Sequence, residues 1–159
     1  MPTEPNPVFM QRAIQLAVEN VHAGTGGPFA AVIVKDGEIV GEGANSVTTT
    51  NDPTAHGEVN AIRDACRRLN TFTLKGCEIY TSCEPCPMCL AAIYWARIDA
   101  IYFGSDCDAA ARAGFDDSFF YEELKLHRDA RSLPLRQVLS EEAWESFQAW
   151  IDKQEKTPY

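Results

Sequence analysis

Four side chains in two short segments could together bind a metal ion and move protons. His56 and Glu58 stand two residues apart, and Cys86 and Cys89 follow about 30 residues later. The histidine and the two thiolates would be three metal ligands, which leaves the fourth position of a tetrahedral zinc ion open, as in catalytic sites. Water bound to such an ion ionises near neutral pH, and Glu58 could carry protons without binding the metal. The sequence therefore predicts a hydrolytic site that holds one Zn²⁺, with Glu58 as its catalytic residue.

The same cysteines allow three other interpretations. With Cys83 they resemble the start of an iron–sulfur run, but the fourth cysteine followed by proline is absent. Cys83 could instead be a fourth zinc ligand, and a closed site of this kind belongs to a structural, non-enzymatic interaction module. Cys86 and Cys89 could also form a redox pair, but this function would not involve His56 or Glu58. Because the two segments fit one another as a ligand set, we favour the catalytic interpretation.

Length and charge limit the class of protein and the kind of partner. The chain has 159 residues, of which 45% are apolar and 23% charged, so we expect one globular domain over residues 1–159. The net charge is −9, and Arg67-Arg68 is the longest basic run. Nucleic acids are bound mainly through Lys and Arg, so a small neutral substrate is expected and a nucleic acid is not. No apolar run approaches the roughly 20 residues of a membrane span, so no membrane contact is expected.

Cysteine usage indicates the compartment. The chain contains six cysteines, and its first residues lack the basic start and apolar stretch of a secretory signal. At this length and without such a signal, reduced thiols and metal binding are expected rather than three disulfides. The sequence therefore predicts a cytoplasmic location.

The elements that must position the four side chains follow from hydrophobic periodicity and turn signals. Asp36-Gly37 between two β-branched runs predicts a hairpin. Asp52 followed by Pro53 is typical of a helix start, which would place His56 and Glu58 in the first turns of that helix. In chain order we expect a helix from 9 to about 23, strands over 29–35 and 38–45, a loop over 48–51, a helix over 52–69, a strand over 77–81, a loop over 82–85, a helix over 87–96, a strand over 99–104, helices over 109–113 and 119–125, an edge strand over 135–139, and a helix over 141–153.

This order predicts an α/β fold. A hairpin followed by strand–helix–strand crossovers gives a mixed sheet with helices on both faces. The two helices that carry the predicted ligands would begin at the same end of that sheet, where His56 and the two cysteines can converge. The glycines at 24–27 precede no Lys-Ser/Thr and follow no strand, so they indicate a close approach of backbone to a neighbour rather than a phosphate loop.

Longer stretches resemble a known family. The pattern His56-x-Glu58 with Pro85-Cys86-x-x-Cys89 is that of the zinc-dependent base deaminases. Nearly the whole chain resembles the small bacterial guanine deaminases of the cytidine deaminase superfamily. The resemblance is carried by Gly26–Phe29, Asn51–His56, Tyr80–Cys89, Ala92–Arg97, Gly114–Ser118 and the terminal Tyr159. It implies a three-layer α/β/α cytidine deaminase-like fold with a mixed central sheet, and a homodimer in which a C-terminal segment of about 141–159 is exchanged between subunits.

The resemblance also implies a reaction and a binding site. Guanine would be hydrolysed to xanthine and ammonia, with one Zn²⁺ per subunit. Asn45 and Asp117 would hold the purine edge, Phe29 and Trp95 would pack on its ring, and Tyr159 would close the pocket of the other subunit. Cytosine, guanosine and an adenosine in tRNA are the alternative substrates. Relatives usually have Ala at position 57 and Gly at position 30, where this sequence has Gly and Ala, and this difference concerns substrate choice rather than reaction type.

Overall fold

The computed structural model describes residues 4–159, which form two compact units, one ending at Ser118 and the other spanning Phe119–Tyr159. The expectation of one domain over residues 1–159 stays a prediction. The first unit contains α1 (Pro7–His22), β1 (Ala30–Lys35), β2 (Glu38–Ala44), α2 (Val47–Thr50), α3 (Gly57–Leu69), β3 (Cys77–Cys83), α4 (Pro87–Trp95), β4 (Ala100–Ser105) and α5 (Cys107–Arg112).

The four strands form one mixed sheet, as predicted. Their order is β2-β1-β3-β4, with β1 antiparallel to both neighbours and β3 parallel to β4. Asp36 and Gly37 join β1 to β2 with φ values of 51° and 80°. Two consecutive residues with positive φ match the right-handed twist of paired strands, which explains the tight hairpin that Asp-Gly indicated.

Side chains of β1 alternate between two apolar clusters, and this alternation defines the layers. Ala31 and Ile33 pack with residues of α3 and α4 on one face. Val32 and Val34 pack with Ala13 of α1 on the other face. Because β1 is buried on both sides, the sheet lies between two helical layers. The predicted three-layer α/β/α fold is therefore confirmed.

Two local predictions between β2 and α3 are wrong. Residues 47–50 form the single helical turn α2 rather than a loop, and this turn ends at Asn51 in the left-handed conformation. Helix α3 begins at Gly57, five residues later than expected. The side chain of Asp52 accepts hydrogen bonds from the backbone N–H and hydroxyl of Thr54, which closes a local turn instead of capping a helix. His56 therefore occupies the N-cap position of α3.

The second unit begins within α6 (Ser118–Lys125) and continues through a 3₁₀ turn (Arg128–Ala130) to α7 (Ser140–Asp152). The strand expected over 135–139 is wrong, because this segment pairs with no strand among the described residues, and β propensity alone does not make a ladder. Helix α7 exposes Trp144, Phe147 and Trp150. None of the helices within residues 4–159 combines the length and the apolar character needed to cross a bilayer.

Candidate metal centre and active site

His56, Cys86 and Cys89 converge although they are 30 and 33 residues apart in sequence. The Nδ1 atom of His56 lies 3.7 Å from the Sγ atom of Cys86 and 3.4 Å from the Sγ atom of Cys89. Ligands on a tetrahedral zinc ion with ordinary Zn–N and Zn–S bonds stand about 3.6 Å apart. All three ligand atoms lie within 4.8 Å of one another. The predicted set is therefore positioned to bind a metal ion, with Nδ1 rather than Nε2 facing the sulfurs.

Two helix starts bring these ligands together. His56 is the N-cap of α3, and Cys86 is the N-cap of α4, whose first residue is Pro87. Proline fits this position because its missing N–H would have no partner in the helix, and its fixed φ suits the first turn. Cys89 follows in that first turn and is fully buried. The positive end of α4 favours a thiolate over a thiol at both cysteines.

Hydrogen bonding among the ligands favours an anionic sulfur. A hydrogen bond from Cys89 lowers the pKa of Cys86 to about 4, and His56 adds to this effect. The same interaction raises the pKa of Cys89, since its sulfur keeps the proton that stabilises the Cys86 thiolate. A divalent ion would displace the proton that Cys89 keeps, since zinc is bound by thiolates rather than thiols.

Glu58 lies beside this set but is not part of it. The residue is 6% exposed, and its carboxylate contacts Cys89 and lies 3.5 Å from the hydroxyl of Thr81. Burial raises the pKa of Glu58, and the nearby Cys86 thiolate raises it further. A carboxyl group with a raised pKa that adjoins a hydrolytic centre can accept and return protons near neutral pH.

Cys83 does not join the ligand group. Its sulfur donates to the backbone oxygen of Asp106 over 3.9 Å, and burial raises its pKa to about 11. Among residues 4–159, the three-ligand group contains no further histidine, cysteine or acidic side chain. This arrangement agrees with a coordination position left for solvent and does not support the closed site considered from the sequence.

Three of the predicted substrate residues lie near the metal ligands. The backbone N–H of Asn45 donates to the backbone oxygen of Phe29, which lies close to Gly57 at the start of α3. Asn45 is 8% exposed. Asp117 is half-buried, and this burial raises the pKa of its carboxyl group. The negative charge of Cys86 raises that pKa as well. The Asp117 carboxylate thus interacts with Cys86, and the backbone of Phe29 and Asn45 adjoins the start of α3.

The remaining two substrate residues are exposed. Trp95 is the last residue of α4 and is 64% exposed, and the guanidinium of Arg97 lies 5.7 Å from its ring centroid. The helical rise puts its Cα about 9 Å along α4 from that of Cys89. Tyr159 is 80% exposed and belongs to the second unit. Their roles in binding stay predictions.

Sequence reasoning missed two residues next to this region. The ring of Phe115 packs edge-to-face on that of Phe29, with centroids 4.8 Å apart. Asn20 is 7% exposed in α1 and hydrogen-bonds to the backbone of Asn45. A signal for Asn20 exists in the sequence, because it continues the core-facing stripe of Ala13 and Ala17 at helical spacing. A polar residue on such a stripe indicates a specific buried hydrogen bond.

Gly57 at the start of α3 lies in contact with Ala30 at the start of β1. A Cβ atom added to Gly57 would stand 2.8 Å from the Cα of Ala30 and 3.1 Å from its nitrogen. The start of α3 therefore has room for no side chain against the start of β1.

We expect Gly57→Ala to lower the free energy of unfolding by about 1–3 kcal/mol, because the added methyl overpacks the contact with Ala30. Adding Ala30→Gly should recover about 1 kcal/mol, since glycine lets the start of β1 move away. Urea unfolding of the zinc-loaded wild type, both single variants and the double variant gives the coupling energy. If the two substitutions change the free energy of unfolding additively, Gly57 and Ala30 do not share a contact.

Comparisons with known proteins agree with this site. The family model of the cytidine and deoxycytidylate deaminase zinc-binding region matches residues 3–105. The chain is 55% identical over 151 residues to a guanine deaminase of Bacillus subtilis (strain 168), covering 95% of this chain and 97% of that protein. The X-ray structure of guanine deaminase from Bacillus subtilis superposes with a TM-score of 0.94 at 54% identity, covering 98% of this chain and 99% of that one. A tRNA-specific adenosine deaminase of Aquifex aeolicus is 51% identical over 78 residues, 49% of this chain and 52% of that protein.

Proposed function

The chain belongs to the cytidine and deoxycytidylate deaminase family, and we propose that it is a zinc-dependent enzyme that hydrolyses guanine to xanthine and ammonia. One observation carries the proposal. The ligand set of His56, Cys86 and Cys89, with Glu58 beside it, lies in a chain that is similar over almost its full length to a guanine deaminase.

The residues present fit zinc. One imidazole and two thiolates are the donor set expected for a catalytic deaminase ion, and their separations suit tetrahedral coordination. When bound, zinc would supply Lewis-acid activation of water near neutral pH. The two thiolates balance the charge of the ion and are held by the start of α4.

Glu58 moves the protons in this mechanism. The carboxylate accepts a proton as water adds to C2 of guanine and delivers it to the ring nitrogen. It then carries the remaining proton of that water from the C2 hydroxyl to the amino group as the C2–N bond breaks. Ammonia leaves, and the oxygen from water becomes the 2-oxo group of xanthine. Burial of Glu58 suits this role because it raises the pKa of the carboxyl group. The proton affinity of Glu58 is then closer to the affinities of the water, the ring nitrogen and the amino group.

The polar neighbours suit a purine. The backbone N–H groups of Gly27 and Val47 donate to Oδ1 of Asn45, which leaves the side-chain NH₂ of Asn45 as the donor for a ligand. We assign this NH₂ to the 6-oxygen of guanine and the Asp117 carboxylate to a ring N–H. Phe29 and Trp95 would pack on the ring, and Tyr159 of a second subunit would close the pocket.

The alternative substrates are less well supported. The tRNA-specific adenosine deaminase matches about half of this chain, whereas the guanine deaminase matches nearly all of it. A net charge of −9 also opposes binding to the phosphates of a tRNA. Cytosine and guanosine share the reaction chemistry and are separated from guanine by assay alone.

We further propose a homodimer in the cytoplasm. Exposed aromatic side chains on α7, including Trp144 and Phe147, would be buried by a second copy that exchanges residues 141–159. Light scattering should give the mass of two chains, and a monomeric mass would oppose the exchange. All six cysteines are free, which fits a reducing compartment.

The proposed function is tested by measuring ammonia release from a panel of guanine, guanosine, cytosine and adenosine with the zinc-loaded enzyme. We expect guanine to give the highest kcat/KM, by at least about tenfold, because Asn45 and Asp117 match its 6-oxygen and N–H groups. The conversion is followed independently by the absorbance of xanthine. Release from cytosine but not from guanine would overturn the assignment.

A further inference from the structure

The buried side-chain amide of Asn20, on α1, lies next to the proposed substrate residue Asn45. Asn20 is 7% exposed, and no charged side chain is among its hydrogen-bond partners within the described part of the chain. A buried amide is costly unless its donors and acceptor are satisfied. Its partners therefore reveal what the side chain holds in place.

All the hydrogen-bond partners of the Asn20 side chain belong to the loop 24–28 or to Asn45. The side-chain NH₂ donates to the backbone oxygen of Gly27 at 2.9 Å and to that of Asn45 at 2.8 Å. Its Oδ1 accepts from the hydroxyl of Thr25 at 2.6 Å. A single side chain thus links the loop to the residue that follows β2.

The loop is pressed against Asn45 at the same point. A Cβ atom on Gly26 would stand 2.0 Å from the backbone oxygen of Asn45, so no other residue fits there. The N–H of Gly27 donates to Oδ1 of Asn45 at 3.4 Å. Fixing the loop therefore also fixes the direction of the Asn45 side-chain amide.

A second asparagine holds the other side of Asn45. The side-chain NH₂ of Asn60 in α3 donates to the backbone oxygen of Ala44 at 2.8 Å and to the hydroxyl oxygen of Ser46 at 3.1 Å. The backbone N–H of Asn60 donates to the oxygen of His56 at 2.9 Å. Asn45 is thus held between α1 and the helix that begins at the metal ligand.

We propose that Asn20 is a positioning residue of the active site, which sets the direction in which Asn45 presents its NH₂ to the substrate. The proposal rests on the role assigned to Asn45 above. Asn20 touches neither the metal ligands nor Glu58 in any of its hydrogen bonds, so its effect on turnover passes through Asn45 and the loop. It is a determinant of base selection rather than of proton transfer.

A kinetic double-mutant cycle of Asn20→Ala and Asn45→Ala tests this inference. Each single variant should lower kcat/KM for guanine by about tenfold to a hundredfold, mainly through KM, because a misplaced substrate contact costs rates of this order. The double variant should lose little more than Asn45→Ala alone, since both act on one contact. Additive losses, or an unchanged Asn20→Ala enzyme, would overturn the proposal.

Selectivity gives a readout that general loss of stability would not move. 2-Aminopurine carries the amino group of guanine but lacks the 6-oxygen assigned to Asn45. The preference for guanine over 2-aminopurine should therefore fall in Asn20→Ala, while zinc content stays at one per subunit. A preserved preference would contradict the inference.

Two further variants keep the test decisive. Gln15→Ala changes an exposed residue on the same helix and should leave kinetics and selectivity unchanged. If Asn20→Ala does not fold, Thr25→Val replaces it in the cycle, because it removes only the hydroxyl that donates to Asn20. A wild-type enzyme inactive on guanine would refute the proposed function, whereas an active wild type with an additive cycle would refute only the role of Asn20.

Discussion

A Glu58→Gln variant is expected to bind zinc fully and to release ammonia from guanine about 10³-fold more slowly than the wild type. Glutamine keeps the size of the side chain and can accept a hydrogen bond, but it cannot take up and return a proton. Positioned general acid–base groups contribute roughly 10²–10⁴ in rate, and Glu58 serves more than one transfer. Zinc content by elemental analysis and initial rates of ammonia release measure the two effects separately.

Glu84→Gln is the matched control for this variant. Glu84 lies between Cys83 and Cys86, and its carboxylate accepts a hydrogen bond from the backbone N–H of Cys107, which a glutamine oxygen can also do. We expect this control to keep zinc and activity within about threefold of the wild type, as for a substitution outside the reaction. A Glu58→Gln enzyme that kept more than a tenth of its activity would exclude Glu58 as the proton carrier.

The regular part of the fold could be predicted because its signals are local. The Asp36-Gly37 turn and the strand over 29–35 need only neighbouring residues, and both are as expected. The start of α3 could not be predicted, because Asp52 and Pro53 suit a local turn as well as a helix cap. The choice between turn and helix depends on contacts with β1, which is distant in sequence. The edge strand over 135–139 was wrong for a similar reason, because a strand requires a partner that composition does not supply.

The metal ligands could be predicted from the sequence, but the residues that hold the surrounding site in place could not. The residue types and spacing of His56, Cys86 and Cys89 are typical of a metal site, so this ligand set could be identified from the sequence alone. Asn20 and Phe115 act through partners 25 and 86 positions away, respectively, and nothing in their local sequence names those partners. The residues that bind a ligand thus show in a sequence sooner than the residues that hold them in place.

Cys86→Ser and Cys83→Ser should behave in opposite ways, although both change a cysteine of the same segment. Cys86→Ser replaces a thiolate ligand by a hydroxyl that stays protonated, so zinc content should fall from about one per subunit to near zero, and guanine deamination should be lost. The Cys86 sulfur lies 3.7 Å from Nδ1 of His56, whereas the Cys83 sulfur is not part of the ligand group.

Cys83→Ser is accordingly expected to keep its zinc and most of its activity, since the Cys83 sulfur donates to Asp106 rather than to the ligand group. Dialysis against a chelator, followed by return of Zn²⁺, should remove and restore activity in the wild type and in Cys83→Ser, but not in Cys86→Ser. Loss of zinc from both variants would mean that four protein ligands enclose the ion. With no position left for water, such a site could not hydrolyse guanine by the proposed route, so this pair of variants decides between an enzyme and a structural zinc protein.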